Sequence, residues 1–356
     1  MHCASLPSAR RLNTSAKGCN KALVLLSSDA LSTVSVLTVT MNPTLDVATR
    51  VKRLVNHEKL RCESEAEQVG GGGINVAQVT HSLGAQSTAA FTSGGWRGNE
   101  ISTRLLADGI RCLPMPIAGE SRQCFTVYES STNQEYRFIL PGPTLSEQEW
   151  QQCLTDIVQA AQSADWLVLS GSLPPGVPAD FYRRVVDRLG DRHARSMRVA
   201  VDTSGQALQE ALQGELDLIK PSREELEQIT GLTLITLQDC VAACQMLQAS
   251  YRIHTIAVSL GEQGALVMRG DTCLNVSPLQ VTVTSTVGAG DSFVGGFIWA
   301  ISQNMDLADC ARVATAAAAA ALQTQGKLQF NSPDILDHAR QVDVRPLILS
   351  QGGSGS

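Results

Sequence analysis

The stretch Thr286–Phe297, "TVGAGDSFVGGF", sets the reading of this chain. Three small residues, Gly288, Ala289 and Gly290, lead to one acid, Asp291, and the sequence then turns apolar. The β-branched run Val281–Thr286 reads as a strand and Phe293–Ser302 as a helix, so Gly288–Gly290 would form the turn between them. The N–H groups of such a turn, added to the helix dipole, make a pocket for an anion.

Asp291 is then either a helix cap or a chemical group. A dinucleotide fingerprint also begins G-x-G, but the next glycine here is Gly295, out of step with G-x-G-x-x-G. A carboxylate would also repel the pyrophosphate that such a pocket is built for. Beside an anion pocket, Asp291 makes sense if it faces a hydroxyl about to attack phosphorus. It can take the proton while the N–H groups stabilise the transferring phosphoryl. The chain has no G-x-x-x-x-G-K-[ST], H-E-x-x-H or G-x-S-x-G motif.

The surrounding chain supplies a crevice. "WLVLSGS", "RVAVDTSG", "LDLIKPS" and "TIAVSLGEQG" are buried strands, each ending in polar residues: Ser170 and Ser172, Asp202, Lys220 and Ser222, Ser259. In an open parallel sheet ligands sit beyond the carboxyl ends of the strands. A second glycine run, "QVGGGGINVA" (Gln68–Ala77), leads into a helical stretch, Ile74–Leu83, with Asn75 in its first turn. Glu100–Asp108 also has helical spacing. Four extended pieces, Val47–Val55, Lys59–Gln68, Gln123–Glu129 and Glu135–Leu140, do not fit βαβ units and suggest a small separate sheet. Ala316–Ala321 is an unbroken alanine run, read as a helix packed closely on another.

Composition bounds the rest. At 356 residues with 43% hydrophobic content the chain can bury a sizeable core. A net charge of −6 argues against a general nucleic-acid or anionic-membrane binder. The ten cysteines form no CxxC pair and read as reduced thiols of a cytoplasmic protein. No stretch approaches the ~18 apolar residues of a membrane span. Residues 1–33 carry Arg10, Arg11, Lys17 and Lys21 against only Asp29, and read as a disordered extension outside the core. The expected domain is 34–346, with residues 347–356 a tail ending in linker-like "GGSGS".

Together these motifs place the chain among known proteins. "VGGGGINVA" and "TVGAGDSFVGG" resemble the two signatures of the PfkB (ribokinase-like) carbohydrate kinases, and the resemblance runs through nearly all of 35–346. "PTLDVAT", "EKLRC", "YRFILPGPTL", "SGSLPPGV", "VDTSG" and "SLGEQGAL" look like its phosphosugar branch, the ribokinase-like 6-phosphofructokinases. The resemblance implies an α/β fold, a mostly parallel sheet flanked by helices, with a small β-sheet lid formed by about 46–68 and 121–140. It implies Asp291 as catalytic base and Gly288, Ala289 and Gly290 as the anion hole. Asp46, Gly71, Gly72 and Asn75 would hold the sugar, Lys59, Arg122 and Arg137 its phosphate, and Ser172 would also contact the substrate. Bidentate arginines suit such a dianion.

Lys220, Ser222, Ser259, Gly261 and Gly264 would face ATP, and Glu225 would organise Mg²⁺ through water. Ser222 departs from the family, which usually has asparagine there; serine offers one hydroxyl in place of an amide. A K⁺ site would use backbone carbonyls near Ser285 and Val287 and the loop Thr324–Gly326. The implied reaction is phosphorylation of the 1-hydroxyl of fructose 6-phosphate, by a homodimer joined through the lid. Tagatose-6-phosphate or fructose-1-phosphate kinase is the alternative within the family, although the glycine run lacks the lysine expected of the fructose-1-phosphate branch. A non-catalytic sugar-phosphate sensor is the alternative from another class.

Overall fold

The structure, a computed structural model, describes residues 34–63, 65–191, 196–324 and 331–347. The expected extension 1–33 and most of the tail lie outside the described residues. Leu347, read as the first residue of the tail, instead closes a strand.

The chain opens with β1 (Ser35–Thr40), then β2 (Thr44–Val51), β3 (Glu65–Gly70), α1 (Gly72–Ser82), β4 (Gln86–Ser93), α2 (Gly95–Ala107) and β5 (Arg111–Pro116). It continues through β6 (Arg122–Glu129), β7 (Gln134–Phe138), α3 (Glu147–Ala160), β8 (Trp166–Ser170), α4 (Phe181–Arg188), β9 (Arg198–Asp202), α5 (Gly205–Ala211) and β10 (Leu216–Ile219). Then follow α6 (Arg223–Thr230), α7 (Leu237–Ser250), β11 (Ile253–Ser259), β12 (Ala265–Arg269), β13 (Thr272–Val276), α8 (Ala289–Ser302), α9 (Leu307–Leu322), α10 (Ser332–Ala339) and β14 (Val344–Leu347).

Among the described residues the main sheet has ten strands, in the order β14-β13-β12-β11-β10-β9-β8-β1-β4-β5. From β11 to β5 every pairing is parallel; β12, β13 and β14 add an antiparallel edge. β1 lies inside the parallel part of the sheet, between β8 and β4. Val36 packs into the core on the side of α1, α8 and α9, and Leu37 and Val39 into the core on the side of α3, α4 and α7. Both faces of a central parallel strand are covered, so both must be apolar.

The alanine run lies in α9 and packs against α8. A side chain on Gly296 would come within 3.0 Å of the Ala317 Cβ, so the two helices touch through small residues.

The second sheet has the order β3-β2-β6-β7. β2 and β6 run parallel at its centre, and β3 and β7 flank them antiparallel. It forms the lid. Arg104 of α2 ties it to the main body, with Nη1 donating to the Glu67 carbonyl at 2.9 Å and Nη2 paired with the Glu67 carboxylate at 2.5 Å. The first two extended pieces are shorter than the sequence suggests: β2 stops at Val51 and β3 starts only at Glu65, leaving Lys59 on the loop between them.

Candidate active site

Strand register assembles the first part of the site. β8 and β9 pair so that Ser170 faces Asp202. β9 and β10 pair Val201 with Ile219, so the next residues, Asp202 and Lys220, emerge side by side. Lys220 Nζ lies 3.3 Å from Asp202 Oδ1, and Lys220 is only 8% exposed. Burial works against the charged lysine, but the carboxylates of Asp202, Asp291 and Glu225 outweigh it and raise its pKa. The sequence marked Asp202 only as a polar strand end. Its pairing with Lys220 depends on register between strands that a helix separates.

Two helix N-termini complete this corner. α1 starts after Gly71 with no cap of its own; Thr40 Oγ1, from the end of β1, accepts from the Ile74 N–H at 2.9 Å. α8 starts at Ala289, not at Phe293, with Gly288 left-handed at φ 76° and no side chain capping it. Ala289 and Gly290 are therefore helical, and Asp291 stands in the first turn without capping it. Val281–Thr286 is not a strand. The N–H groups of Thr284 and Ser285 bond to the Leu322 carbonyl, because β14 already occupies the edge of β13 that a further strand would need.

α1 and α8 meet through Asn75, whose Nδ2 donates to Asp291 Oδ2 at 2.8 Å. Gly72 lies against the same carboxylate. A Cβ there would fall 2.2 Å from Ser170 Oγ and 3.2 Å from Asp291 Oδ1, so only glycine fits. A Cβ on Gly290 would lie 3.2 Å from Lys220 Nζ, which places the ammonium beneath the open end of α8. Burial, reinforced by the charge of Asp202, pushes Asp291 up to about 7, against the pull of Asn75, Lys220 and Arg137. A carboxyl at that value is matched to proton transfer near neutral pH.

The lid brings Asp46, on β2, and Arg137, on β7, over this corner. Arg137 acts on both Asp46 and Asp291. Burial raises the Asp46 pKa, partly offset by the Thr44 hydroxyl, Arg137 and Arg122; Thr44 Oγ1 donates to Asp46 Oδ1 at 3.0 Å. A cavity of about 620 Å³ lies between the lid face carrying Asp46, Gln68 and Tyr128 and the loop Val283–Val287. Arg122 borders a second pocket, of about 470 Å³, together with Ser172. Lys59 is exposed on its loop, and no ion pair among the described residues ties it to Asp46.

Beyond β10, Ser222 N-caps α6. Its Oγ accepts from the Glu225 N–H at 3.2 Å, and Glu225 Oε2 accepts from the Ser222 N–H at 2.8 Å. The serine thus forms a reciprocal capping box with the acid. Burial raises the Glu225 pKa, with the Ser222 N–H and Lys220 opposing it. Ser222 and Ser259 bridge in parallel, and Gly261 and Gly264 bound the tight turn that follows.

Residues 39–334 match the pfkB family of carbohydrate kinases. The chain belongs to that family. It is 41% identical to ATP-dependent 6-phosphofructokinase isozyme 2 of Mycobacterium tuberculosis over 300 residues, covering 84% of this chain and 87% of that protein. It is 33% identical to the 1-phosphofructokinase of Vibrio cholerae, covering 90% of this chain and 99% of that one. Phosphofructokinase-2 from Escherichia coli, solved in complex with fructose-6-phosphate, superposes with a TM-score of 0.78 at 33% identity, covering 86% of this chain and 98% of that one. The same Escherichia coli protein solved with potassium gives 0.80 at 34% identity, covering 86% and 99%.

The kinase is thus a phosphotransferase to an alcohol acceptor with the ribokinase-like fold. Its described residues hold no cluster of three or more His, Cys, Asp or Glu side chains that could cage a metal. Glu225 commits one carboxylate oxygen to the capping box and keeps the second, a donor set that fits an ion held through water. Ser285 and Val287 lie on the loop before α8, where Val287 N–H donates to Ser285 Oγ at 3.2 Å. Thr324 ends the described part of the loop expected to complete a K⁺ site; Gln325 and Gly326 lie outside it. No helix of the described residues is long and apolar enough to cross a membrane.

Proposed function

We propose that this kinase transfers the γ-phosphoryl of ATP to the 1-hydroxyl of fructose 6-phosphate, giving fructose 1,6-bisphosphate and ADP. The observation that carries the reading is the Asp291 carboxylate, held by Asn75 at the uncapped N-terminus of α8, above Lys220. Asp291 takes the hydroxyl proton as the oxygen attacks the γ-phosphorus, the bond to the ADP oxygen breaks, and Asp291 later releases the proton to solvent. The N–H groups of Ala289 and Gly290 and the ammonium of Lys220 offset charge on the moving phosphoryl. Asp46 and Asn75, with Gly71 and Gly72, hold sugar hydroxyls; Arg122, Arg137 and Ser172 hold the sugar's phosphate, with Lys59 closing from its loop. Ser222, Ser259, Gly261 and Gly264 face the nucleotide. Glu225 would hold magnesium through water, and the ion would supply charge neutralisation at the phosphates. The lid excludes water, which would otherwise compete as acceptor.

A potassium site at the carbonyls around Ser285 and Val287 is part of the same proposal, as the Escherichia coli protein was solved with that ion. So is a homodimer through the lid. Phe125 and Phe138 are cross-strand partners, 38% and 50% exposed, an apolar pair that a second lid would cover. The deciding experiment is ADP release against fructose 6-phosphate, fructose 1-phosphate, tagatose 6-phosphate and fructose. The highest kcat/KM with fructose 6-phosphate supports the reading. A higher value with fructose 1-phosphate moves the kinase to the other branch, and no turnover with any of them overturns it.

A further inference from the structure

Asn42, on the bend between β1 and β2, is 4% exposed, and its amide joins three separate segments. Nδ2 donates to the Pro141 carbonyl at 3.2 Å and to Ser172 Oγ at 3.4 Å. Oδ1 is buried without a hydrogen-bond partner. It packs against Gly142, whose φ is 84° and where a Cβ would fall 2.2 Å from Oδ1; only glycine lets the turn after β7 close on this amide. Arg122 reaches the same turn, with Nη1 donating to the Leu140 carbonyl at 2.9 Å, while its Nε is buried and unpartnered. Asn42, Arg122 and Ser172 border one pocket of about 470 Å³, whose other walls are apolar, with no acid among its lining residues.

The hydrogen bond has a direction. Ser172 Oγ accepts from Asn42, so the hydroxyl proton is left to donate elsewhere. Arg122 has one nitrogen committed to the turn and a buried N–H without an acceptor. Two donors in a pocket with no acid in its lining suit a ligand made of acceptors, and a phosphoryl group is such a ligand. Leaving a buried donor unmade is costly, so a partner for Arg122 Nε is a physical requirement of the loaded site.

We propose that Asn42 is a positioning residue of the sugar-phosphate subsite: it clamps the Leu140–Gly142 turn to the Ser172 loop and sets the Ser172 hydroxyl as a donor toward the phosphate. Asn42 touches no reacting atom; it acts through Ser172 and Arg122. This rests on the phosphosugar reading above, and the test separates the two.

Dissociation constants for fructose 6-phosphate and for fructose, which lacks the phosphate, are measured for the wild type, Asn42→Ala, Asn42→Asp, Ser172→Ala and the double variant Asn42→Ala/Ser172→Ala. The wild type is expected to prefer the phosphosugar. Asn42→Ala reduces that preference ~10-fold or more, the scale of a charge-assisted hydrogen bond, and leaves fructose binding and the KM for ATP unchanged. Asn42→Asp keeps the size of the side chain but can only accept; it captures the Ser172 proton, adds a negative charge, and reduces the preference further. With Ser172 already alanine, Asn42→Ala has less effect than in the wild type, because the two share one interaction. Equal losses for both sugars, or an unchanged preference in Asn42→Asp, overturn the proposal. If Asn42→Ala does not fold, the near-isosteric Asn42→Asp decides alone. A wild type with no preference for the phosphosugar overturns the phosphosugar reading itself.

Discussion

Asn75 Nδ2 and Asp291 Oδ2 stand 2.8 Å apart, joining the first turns of α1 and α8 across 216 positions of sequence. The bond fixes one carboxylate oxygen and leaves the other, Oδ1, facing the corner made by Gly72 and Ser170. It also moderates a pKa that burial and Asp202 drive upward.

Asp291→Asn keeps the size and the hydrogen-bonding reach of the side chain but cannot take a proton. Steady-state kinetics should show kcat lower by at least ~10²-fold, with sugar and ATP binding nearly unchanged. An unchanged kcat would remove Asp291 from the chemistry.

The acid limb of the pH–rate profile should fall near pH 7, where Asp291 is placed, with activity rising as the carboxyl ionises. Stability runs the other way. The folded-state pKa, about 7, lies above the ordinary value of 3.8, so between these values the folded protein holds a proton that the unfolded chain releases. Stability from this group is present at low pH and is lost as pH rises through about 7. The Tm advantage of Asp291→Asn over the wild type should therefore be larger at pH 8 than at pH 4; equal advantages at both would contradict the shift.

Asp202→Asn removes the charge that adds to the burial of Asp291 and leaves Lys220 less neutralised. Both changes favour ionised Asp291, so the acid limb should move to lower pH. A profile that stays in place, or moves up, would mean that Asp202 does not act on Asp291.

Arg122→Ala should raise KM for the phosphosugar and leave that for ATP nearly alone, because Arg122 borders the Ser172 pocket and acts on Asp46, not on the Lys220 corner. The opposite split would show that the two sites are assigned the wrong way round.

Gly72→Ala puts a methyl 2.2 Å from Ser170 Oγ and 2.9 Å from the Gly171 nitrogen. The backbone nitrogen cannot rotate away. Overpacking of this kind costs about 1–3 kcal/mol, and the shift falls on the pocket of Asp291. Denaturant unfolding and kcat should both register it; an alanine variant of native stability and activity would mean that the corner is looser than its geometry.

Much of the fold and of the candidate site was legible in the sequence because it is local. The apolar runs in "WLVLSGS", "RVAVDTSG", "LDLIKPS" and "TIAVSLGEQG" form β8, β9, β10 and β11, buried as strands inside a parallel sheet must be. Polar residues at the ends of β8, β9 and β11, and just beyond β10, mark the crevice because each follows its own apolar run. The glycines before α1 and α8 mark helix N-termini because Gly71 and Gly288 take a positive φ that larger residues rarely adopt. Where the reading failed, the deciding partner was distant. Val281–Thr286 has the composition of a strand, but the edge it needed is held by β14, some sixty residues further on. Gly288–Gly290 looked like a turn, because glycine is a poor helix former. Yet α8 begins at Ala289, where packing on α1 and α9 outweighs propensity.

By itself, then, the sequence determined which segments could be strands or helices and which residue types could carry chemistry, since hydrophobic period and backbone freedom are properties of neighbours in the chain. Only the tertiary structure decided which of those residues act on one another. Asp202 meets Lys220 through strand register, Thr40 caps α1 from another strand, and Asn42 clamps two loops some hundred residues away. Such contacts, and the burial that sets the proton affinity of Asp291, exist only once the sheet has closed around them.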